Sequence, residues 1–221
     1  MKKYFLPISI LALCVAVATS CVKDRNINTT TVVIPPVNTG GDTLIYYWNF
    51  NTDTLHYLTP NVALVTGSSL AYSGAYSDTV QPGTTVNAVG ADTVLTASSA
   101  ALRLRNPASG PFTLTLPTTG YKNIVVKYAE DHTSKGATEN TVTYTVDGVN
   151  WINTAISSYA SYSVDSVDTY NGFQLITLNF SSDSAVNNNP KFQIQINFGS
   201  GSTNTSGNDR FDNITVYGVK D

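Results

Sequence analysis

Charged residues are scarce in this chain, and their scarcity excludes several classes of protein. Asp, Glu, Lys and Arg make up 12% of its 221 residues, and only two are glutamates, Glu130 and Glu139. Helical proteins rely on Glu, Lys, Ala and Leu, so the composition argues against a mainly helical fold. The few lysines and arginines form no cluster that displaces counterions from phosphates. We therefore expect no nucleic-acid partner.

Cysteine is also scarce. The chain has two, and Cys14 lies inside an apolar run from about Phe5 to Ala18 that follows two lysines. A basic start, a short apolar run and small residues after it are the parts of a secretory signal peptide. The run is too short for a membrane-spanning helix, which needs about 20 residues. Cleavage would leave Cys21 as the sole cysteine, so we predict no internal disulfide.

The stretch VATSC, residues 17–21, resembles the lipobox of bacterial lipoproteins, with Val17 where leucine is usual. The resemblance implies that Cys21 becomes the first residue of the mature protein and is lipidated. A diacylglycerol and an additional acyl chain suffice for stable membrane anchoring. The alternative is an ordinary signal peptide cut near Ala18 or Ser20, which would leave a free thiol.

Residues 22–43 are rich in Thr and Asn and contain one Pro-Pro pair and one Gly-Gly pair, as expected of an extended tether. The charged run at 23–25 is similar to surface-export signals of Bacteroidetes-type lipoproteins. That likeness implies a bacterial outer-membrane location with display at the cell surface, or alternatively toward the periplasm. We predict a signal peptide at 1–20, lipidated cysteine and tether at 21–43, and a folded domain at 44–221.

Alternation with a period of two recurs from Leu44 onward, whereas helical periodicity does not. Apolar side chains take every second position and Thr, Gln, Asn or Lys the positions between, which is typical of antiparallel sheets. The clearest segments are 44–50, 112–116, 124–128, 142–146 and 192–198. Further strands are predicted at 62–65, 94–96, 101–105, 173–180 and 209–217. About ten short strands separated by turn residues indicate a sandwich or jelly roll.

Three motifs resemble parts of extracellular jelly-roll modules. They are YYWNFN at 46–51, YTVDGVNW at 144–151 and NDRFDNITVYG at 208–218. These look like the first strand, a hairpin and the last strand of galactose-binding-like, carbohydrate-binding-module and adhesin-type sandwiches of secreted bacterial proteins. The resemblance implies an all-β fold, a single antiparallel β-sandwich. Such modules bind sugars, proteins or no known ligand, so the motifs specify fold more than function.

Catalytic motifs are missing from the sequence. It has no nucleophile elbow, no paired-histidine zinc motif and no phosphate loop. His56 and His132 are its only histidines, without a partner at zinc-ligand spacing. We therefore expect no enzymatic activity, and a glycan-degrading enzyme is the least favoured interpretation.

The densest polar group is Glu130-Asp131-His132, which follows a predicted strand. Three interpretations stand: a solvated loop, ligand or ion binding, and acid–base catalysis. Glycosidases hold two carboxyls about 5–10 Å apart across a substrate, whereas adjacent side chains on an exposed loop point in different directions. A solvated loop is therefore favoured, with ligand binding as the alternative.

Three tyrosines, Tyr159, Tyr162 and Tyr170, lie in one long polar connection between predicted strands. A flat aromatic face with a hydroxyl suits stacking on a sugar ring. The alternative is that these rings fold back over the sandwich, since half-buried tyrosines need no special cause. They are candidate glycan-binding residues together with the group at 130–132.

Asp212 poses a problem in the closing strand. Strict alternation places its carboxylate on the same side as Ile214 and Val216. A buried carboxylate must be satisfied by backbone amides, by an arginine or by a metal. In the jelly rolls that this chain resembles, an acidic residue here often helps to hold a structural calcium, which implies Asp212 as a ligand. The expected pairing of the first and last strands makes Asp209, Asn49, Asn51 and Asp53 possible neighbours of such an ion. We favour hydrogen bonding and keep calcium as the alternative.

These features together predict a lipid-anchored binding or adhesion module at the cell surface, with carbohydrate as the favoured ligand. The alternative is a structural or protein-binding lipoprotein without a small-molecule ligand. We expect a monomer whose partners are the membrane, through its lipid, and a glycan or another surface protein.

Cys21→Ala should release the protein from membranes, because the lipid would have no attachment point. Membrane fractionation and acyl-chain labelling of the producing cells measure the effect. Cys14→Ala is the control and should leave the protein in the membrane fraction. A Cys21→Ala variant that stays with the membranes would contradict lipid anchoring.

Overall fold

The computed structural model describes residues 41–51, 58–74, 76–106, 109–137, 139–156, 161–163, 172–199 and 207–221. Within these residues the chain forms twelve strands and a few 3-10 turns. The strands are β1 Thr43–Trp48, β2 Val62–Ala63, β3 Ser69–Tyr72, β4 Tyr76–Val80, β5 Ala101–Arg105, β6 Phe112–Thr115, β7 Tyr121–His132, β8 Glu139–Thr145, β9 Ser161–Ser163, β10 Gln174–Asn179, β11 Gln193–Phe198 and β12 Asn208–Lys220. Cys21, Tyr159 and Tyr170 lie outside the described residues. A search of this part of the chain for a helix able to cross a membrane found none.

Two antiparallel sheets form the domain. One has seven strands, in the order β10-β7-β12-β1-β2, with β5 also paired to β12 and β4 to β5. The other has five strands, in the order β3-β6-β11-β8-β9. Apolar side chains from both sheets form one shared core. The predicted fold class, a single antiparallel β-sandwich, is confirmed.

The period-two pattern explains how the five-stranded sheet forms. Leu114 on β6, Tyr144 on β8 and Ile194 on β11 are buried in the core, while the residues between the core positions stay at least partly exposed along most of each strand. Burial of each such side chain stabilises the fold by about 1.5–3 kcal/mol. Aromatic contacts connect the two sheets, since the ring centroids of Phe112 and Phe211 lie 5.0 Å apart.

One predicted strand is wrong, and three strands of the structure were not predicted. Val94 and Leu95 are exposed and follow a 3-10 helix at Gly90–Thr93, so the strand predicted at 94–96 is wrong. Strands β3, β4 and β9 had not been predicted. In β4, Asp78 pairs with Arg103 of β5 through two nitrogen–oxygen contacts of 2.7 and 2.5 Å, so an ion pair supports this strand where no apolar alternation marks it.

The closing strand β12 is the centre of the seven-stranded sheet. One of its edges pairs with β7 along nearly its whole length. Its other edge pairs first with β5, from Asn208 to Phe211, and then with β1, from Ile214 to Gly218. The exchange of partners falls on Asp212 and Asn213.

A β-bulge lies at this exchange point. Asp212 is opposite Ala129 and Thr215 is opposite Lys127, so β12 advances by three residues where β7 advances by two. Asn213 takes up the extra residue with a φ of 49°, a left-handed conformation that asparagine tolerates better than most residues. Phe211, Ile214 and Val216 therefore face the core and Asp212 faces outward. The prediction that Asp212 shares a face with Ile214 and Val216 is wrong, because strict alternation ends at the bulge.

A covering segment, residues 81–100, lies over the outer face of the sheet at the bulge. The carboxamide nitrogen of Asn213 donates to the carbonyls of Thr84, at 2.7 Å, and Val86, at 3.0 Å. Asn87 donates in return to the carbonyl of Asn213, at 2.5 Å. A Cβ on Gly83 would lie 2.7 Å from an oxygen of Asp212. The segment can approach this closely only because residue 83 has no side chain.

Asn213→Gly should keep the backbone conformation and remove the carboxamide, leaving the half-buried carbonyls of Thr84 and Val86 without this donor. We expect the free energy of unfolding to fall by about 2–3 kcal/mol, measured by urea denaturation. Asn123→Gly is the matched control, because Asn123 is exposed and also has a positive φ, of 55°; its stability should change by less than about 1 kcal/mol. Equal stability of both variants and wild type would show that the Asn213 carboxamide does not hold the covering segment.

Candidate functional site

The outer surface of the five-stranded sheet carries a continuous set of uncharged polar side chains. They alternate with the core residues and are exposed or half-exposed. We call this set the polar face, and its members are Ser69, Ala71, Thr113, Thr115, Thr141, Thr143, Gln193, Gln195 and Asn197. Eight of the nine side chains carry a hydroxyl or a carboxamide. Glu139, the first residue of β8, is exposed on the same side of the strand as Thr141 and Thr143 and adds one carboxylate at the edge of this surface.

Strand register arranges these groups in rows across the sheet. Gln195 is opposite Thr113 on one side and Thr143 on the other, and Thr113 is in turn opposite Ala71. Neighbouring strands lie about 4.8 Å apart, so the row through Gln195 presents hydroxyl, carboxamide and hydroxyl at regular steps.

Hydrogen bonds within the polar face are long. The Gln195 amide nitrogen lies 3.5 Å from the Thr113 hydroxyl, and the Asn197 amide nitrogen lies 3.4 Å from the Thr143 hydroxyl. Strong bonds of this type are about 2.9 Å long. The amides therefore keep most of their hydrogen-bonding capacity for a ligand.

One strand of the tyrosine-bearing connection extends this sheet. Strand β9 pairs with β8 and places the backbone of Tyr162 opposite Asn140. The sequence had predicted a loop here, and no alternating pattern marks β9. Of the predicted sugar-stacking connection, residues 161–163 form this edge strand, while Tyr159 and Tyr170 lie outside the described residues.

Glu130, Asp131 and His132 are not on a solvated loop. They end strand β7 and are 0, 3 and 2% exposed. The loop prediction is wrong because β7 continues beyond its apolar stretch to pair with β12, where Asp131 is opposite Arg210 and His132 is opposite Asp209.

Alternation along β7 places Asp131 on the face opposite Glu130 and His132. Glu130 points toward the core side, where an oxygen accepts a 2.5 Å hydrogen bond from Asn140 of the other sheet. Asp131 points to the opposite face, with a carboxylate oxygen 4.0 Å from Arg210. Burial raises the pKa of Asp131, and the charge of Arg210 offsets part of this rise. The three residues therefore do not converge on one ligand.

Asp209 is fully buried at the core side of β12. Its carboxylate accepts the backbone amide of Ala137 at 3.1 Å. Burial raises the pKa of Asp209 well above its usual range. A Cβ on Gly136 would lie 2.9 Å from the carboxylate, so the turn before Ala137 closes directly over it.

Asp212 is satisfied by backbone amides. One oxygen accepts from Asn213 at 2.8 Å and the other from Thr84 at 2.7 Å. Burial raises the pKa of Asp212 to about 8, although both amide hydrogen bonds act in the opposite direction. This is the favoured sequence interpretation, a structural carboxylate that accepts hydrogen bonds, now with its donors identified.

Asn49 belongs to a separate cluster around Asp92, a residue that sequence analysis did not single out. The amide nitrogens of Asn49 and Asn51 lie 2.8 and 3.1 Å from the two oxygens of Asp92. The oxygen of Asn51 accepts the amide of Ala100, and the oxygen of Asn49 accepts the amide of Asn51. Both carboxamides thus turn their nitrogens, not their oxygens, toward the carboxylate.

The residues predicted for calcium do not fit one metal site. Calcium takes about six to eight oxygen ligands, but Asp209 and Asp212 lie on opposite faces of β12, and the Asn49 oxygen accepts a backbone amide. No group of three His, Cys, Asp or Glu suited to a metal occurs among the described residues. Calcium binding by the chain stays a prediction.

Comparison with known proteins gives distant structural similarities. No model of a protein family and no curated protein matches the chain. The CBM22-1 xylan-binding domain of Paenibacillus barcinonensis Xyn10C is 10% identical with a TM-score of 0.45, covering 82% of this chain and 97% of that one. TmCBM61, solved with β-1,4-galactotriose, is 12% identical with a TM-score of 0.40, covering 69% and 89%. The mannan-recognising module TmCBM27 is 10% identical with a TM-score of 0.40, covering 80% and 98%. Similarities this distant leave the function to be argued from the residues of this chain.

Stability should fall as pH rises from about 4 to 8. The pKa of Asp212 is raised to about 8, so the folded state holds this proton more tightly than the unfolded chain. The resulting stabilisation is complete below the unfolded pKa of about 4 and is lost as pH rises through the folded value. The raised pKa values of Asp209 and Asp131 act in the same direction.

Asp212→Asn should therefore reduce the decline in unfolding free energy between pH 5 and pH 8, by about 1–3 kcal/mol, in urea titrations at each pH. Asp147→Asn is the control, because hydrogen bonds from Asn150 lower the pKa of Asp147 and place its titration below this window. Equal pH slopes for wild type and Asp212→Asn would show that the carboxyl does not take up a proton in the folded state.

Proposed function

We propose that this chain is a lipid-anchored binding module at the bacterial cell surface and that its polar face binds a neutral glycan. The observation that carries the proposal is the composition of that face. It combines exposed or half-exposed hydroxyl and carboxamide side chains in regular rows with a single charged strand residue beside them, Glu139 at the start of β8.

The chemistry of these groups matches that of a sugar. Each sugar hydroxyl both donates and accepts a hydrogen bond, and carboxamides and threonine hydroxyls do the same. Gln193, Gln195 and Asn197 stand on one central strand with threonines on both neighbouring strands. A ligand lying across the sheet would find alternating donors and acceptors on a rigid scaffold, which limits the entropy lost on binding.

Neutrality restricts the type of glycan. An anionic polysaccharide needs cations at the binding surface, and the polar face has none. Aromatic rings pack well on the C–H faces of sugars, so Tyr159, Tyr162 and Tyr170 stay candidate stacking residues. Support for lipid anchoring and surface display is limited to the resemblance of residues 17–25 to lipoprotein signals.

A non-catalytic role fits the placement of the described carboxyl groups. Glu130 and Asp131 point to opposite faces of β7, as Asp209 and Asp212 do on β12. Glycosidases need two carboxyls that converge across one substrate. The alternative role, binding another protein, would use exposed apolar residues such as Leu64, Val94 and Leu95.

A glycan array probed with residues 38–221, with and without calcium, tests the proposal. We expect binding to neutral glycans and little binding to acidic ones. Gln195→Ala should weaken binding at least tenfold, equivalent to about 1.4 kcal/mol. Gln174→Ala is the matched control, because Gln174 is half-exposed on the other sheet. Absence of glycan binding, or equal losses in both variants, would contradict the proposed function.

A further inference from the structure

A cleft lies outside the polar face, between the arm that follows β8 and the turn between β10 and β11. It is a solvent-open cleft of about 420 Å³, within the range of about 300–1,000 Å³ usual for small-molecule sites. One wall is the arm that follows β8, with Val146, Ile152 and Thr154. The other wall is the turn between β10 and β11, with Ser182 and Asp183.

Hydrogen bonds brace the two walls against each other. The carboxamide nitrogen of Asn189 donates to the carbonyl of Val146, at 3.0 Å, and to that of Ala185 in the opposite wall, at 2.8 Å. Ile152 and Tyr144 exchange two backbone hydrogen bonds of 2.8 and 2.9 Å, which fix the arm beside β8. The cleft is therefore pre-shaped, which reduces the ordering needed when a ligand binds.

Tyr144 and Asp183 provide the polar centre of the cleft. The Tyr144 ring packs on Phe180 and Phe192, with centroid separations of 5.1 and 6.2 Å. Its hydroxyl donates to one oxygen of Asp183 at 2.6 Å, and the other oxygen accepts the amide of Ala185 at 3.0 Å. A carboxylate has about four acceptor positions. These two bonds orient Asp183 and leave it capacity for further donors.

The side chains around Tyr144 and Asp183 limit the class of ligand that the cleft can bind. Ile152 is 39% exposed and gives one wall an apolar surface, while Thr154 and Ser182 contribute exposed hydroxyls. The Asp183 carboxylate repels anions, and the hydroxyl groups would lose hydrogen bonds to water beneath a purely apolar ligand. A small neutral molecule with several hydroxyls and an apolar C–H face satisfies both sets of groups.

We infer that this cleft binds a single neutral sugar ring of hexose size. Its hydroxyls donate to Asp183 and hydrogen-bond to Thr154 and Ser182, while its C–H face packs on Ile152. The inference is independent of the glycan site proposed above, because the polar face is formed by the outward residues of β8 and the cleft by the inward residue Tyr144 and the arm beyond the strand.

Residue-resolved NMR tests the inference. The ¹⁵N-labelled full chain, in a zwitterionic detergent without a sugar headgroup, is titrated with D-glucose, D-galactose and D-mannose, and with gluconate as an anionic comparison. We expect saturable amide shifts at Ile152, Thr154, Ser182 and Ala185 with at least one hexose, and none with gluconate. Shifts confined to Thr143 and Gln195 would overturn the cleft site while supporting the polar face, and no saturable shift with any hexose would overturn it outright.

Asp183→Asn should weaken hexose binding at least tenfold, because an amide nitrogen replaces an acceptor oxygen. Asp221→Asn is the control for charge and should leave the affinity unchanged, since Asp221 is exposed at the chain end. Ile152→Ala, at an exposed position with little effect on folding, should weaken binding at least threefold. Affinities of both cleft variants equal to that of Asp221→Asn would overturn the inference.

Discussion

The exchange of partners along β12 is the constraint on which the rest of the fold depends. One edge of β12 pairs first with β5 and then with β1. Because β5 ends where β1 begins along this edge, the hydrogen-bond ladder is interrupted between them. The bulge at Asn213 supplies the break and exposes backbone groups that need partners. In the covering segment, Asn87 donates to the Asn213 carbonyl, and the carbonyls of Thr84 and Val86 accept from the Asn213 carboxamide. The exchange of strand partners, the outward orientation of Asp212 and the position of the covering segment therefore depend on one another.

The distribution of charge follows from the same arrangement. Four of the 15 acidic residues, Glu130, Asp131, Asp209 and Asp212, are at most 3% exposed at or near this end of β7 and β12. Each has a specific donor or cationic partner, as buried carboxylates require. About a quarter of the acidic residues are therefore used inside the fold, and the strands of the five-stranded sheet carry a single charged residue, the exposed Glu139 of β8.

The alternation of apolar and polar residues predicted the structure correctly where residues close in sequence determine it. Alternation in β6, β8 and β11 predicted both the core residues and the polar residues between them, including Thr143 and Gln195. The same pattern gave wrong predictions where contacts between residues distant in sequence determine the structure. The bulge at Asn213 depends on where β5 ends, and the burial of Asp131 depends on pairing with Arg210, 79 positions away. Asp92 was missed because its donors, Asn49 and Asn51, approach from 43 and 41 residues earlier in the chain.

Strand β8 places two different surfaces within one residue of each other. Thr143 points outward into the polar face, whereas the next residue, Tyr144, points inward and ends at Asp183 in the cleft. A flat face contacts several units of a chain weakly, and a cleft with a carboxylate contacts one unit in a defined orientation. If both proposed sites bind one glycan, their position on a single rigid domain gives a high effective concentration for the second contact, so modest affinity at each site would retain a polymer. Such a domain would retain most strongly a glycan that spans both surfaces, and the minimum length of that glycan would be set by the separation between Gln195 and Asp183.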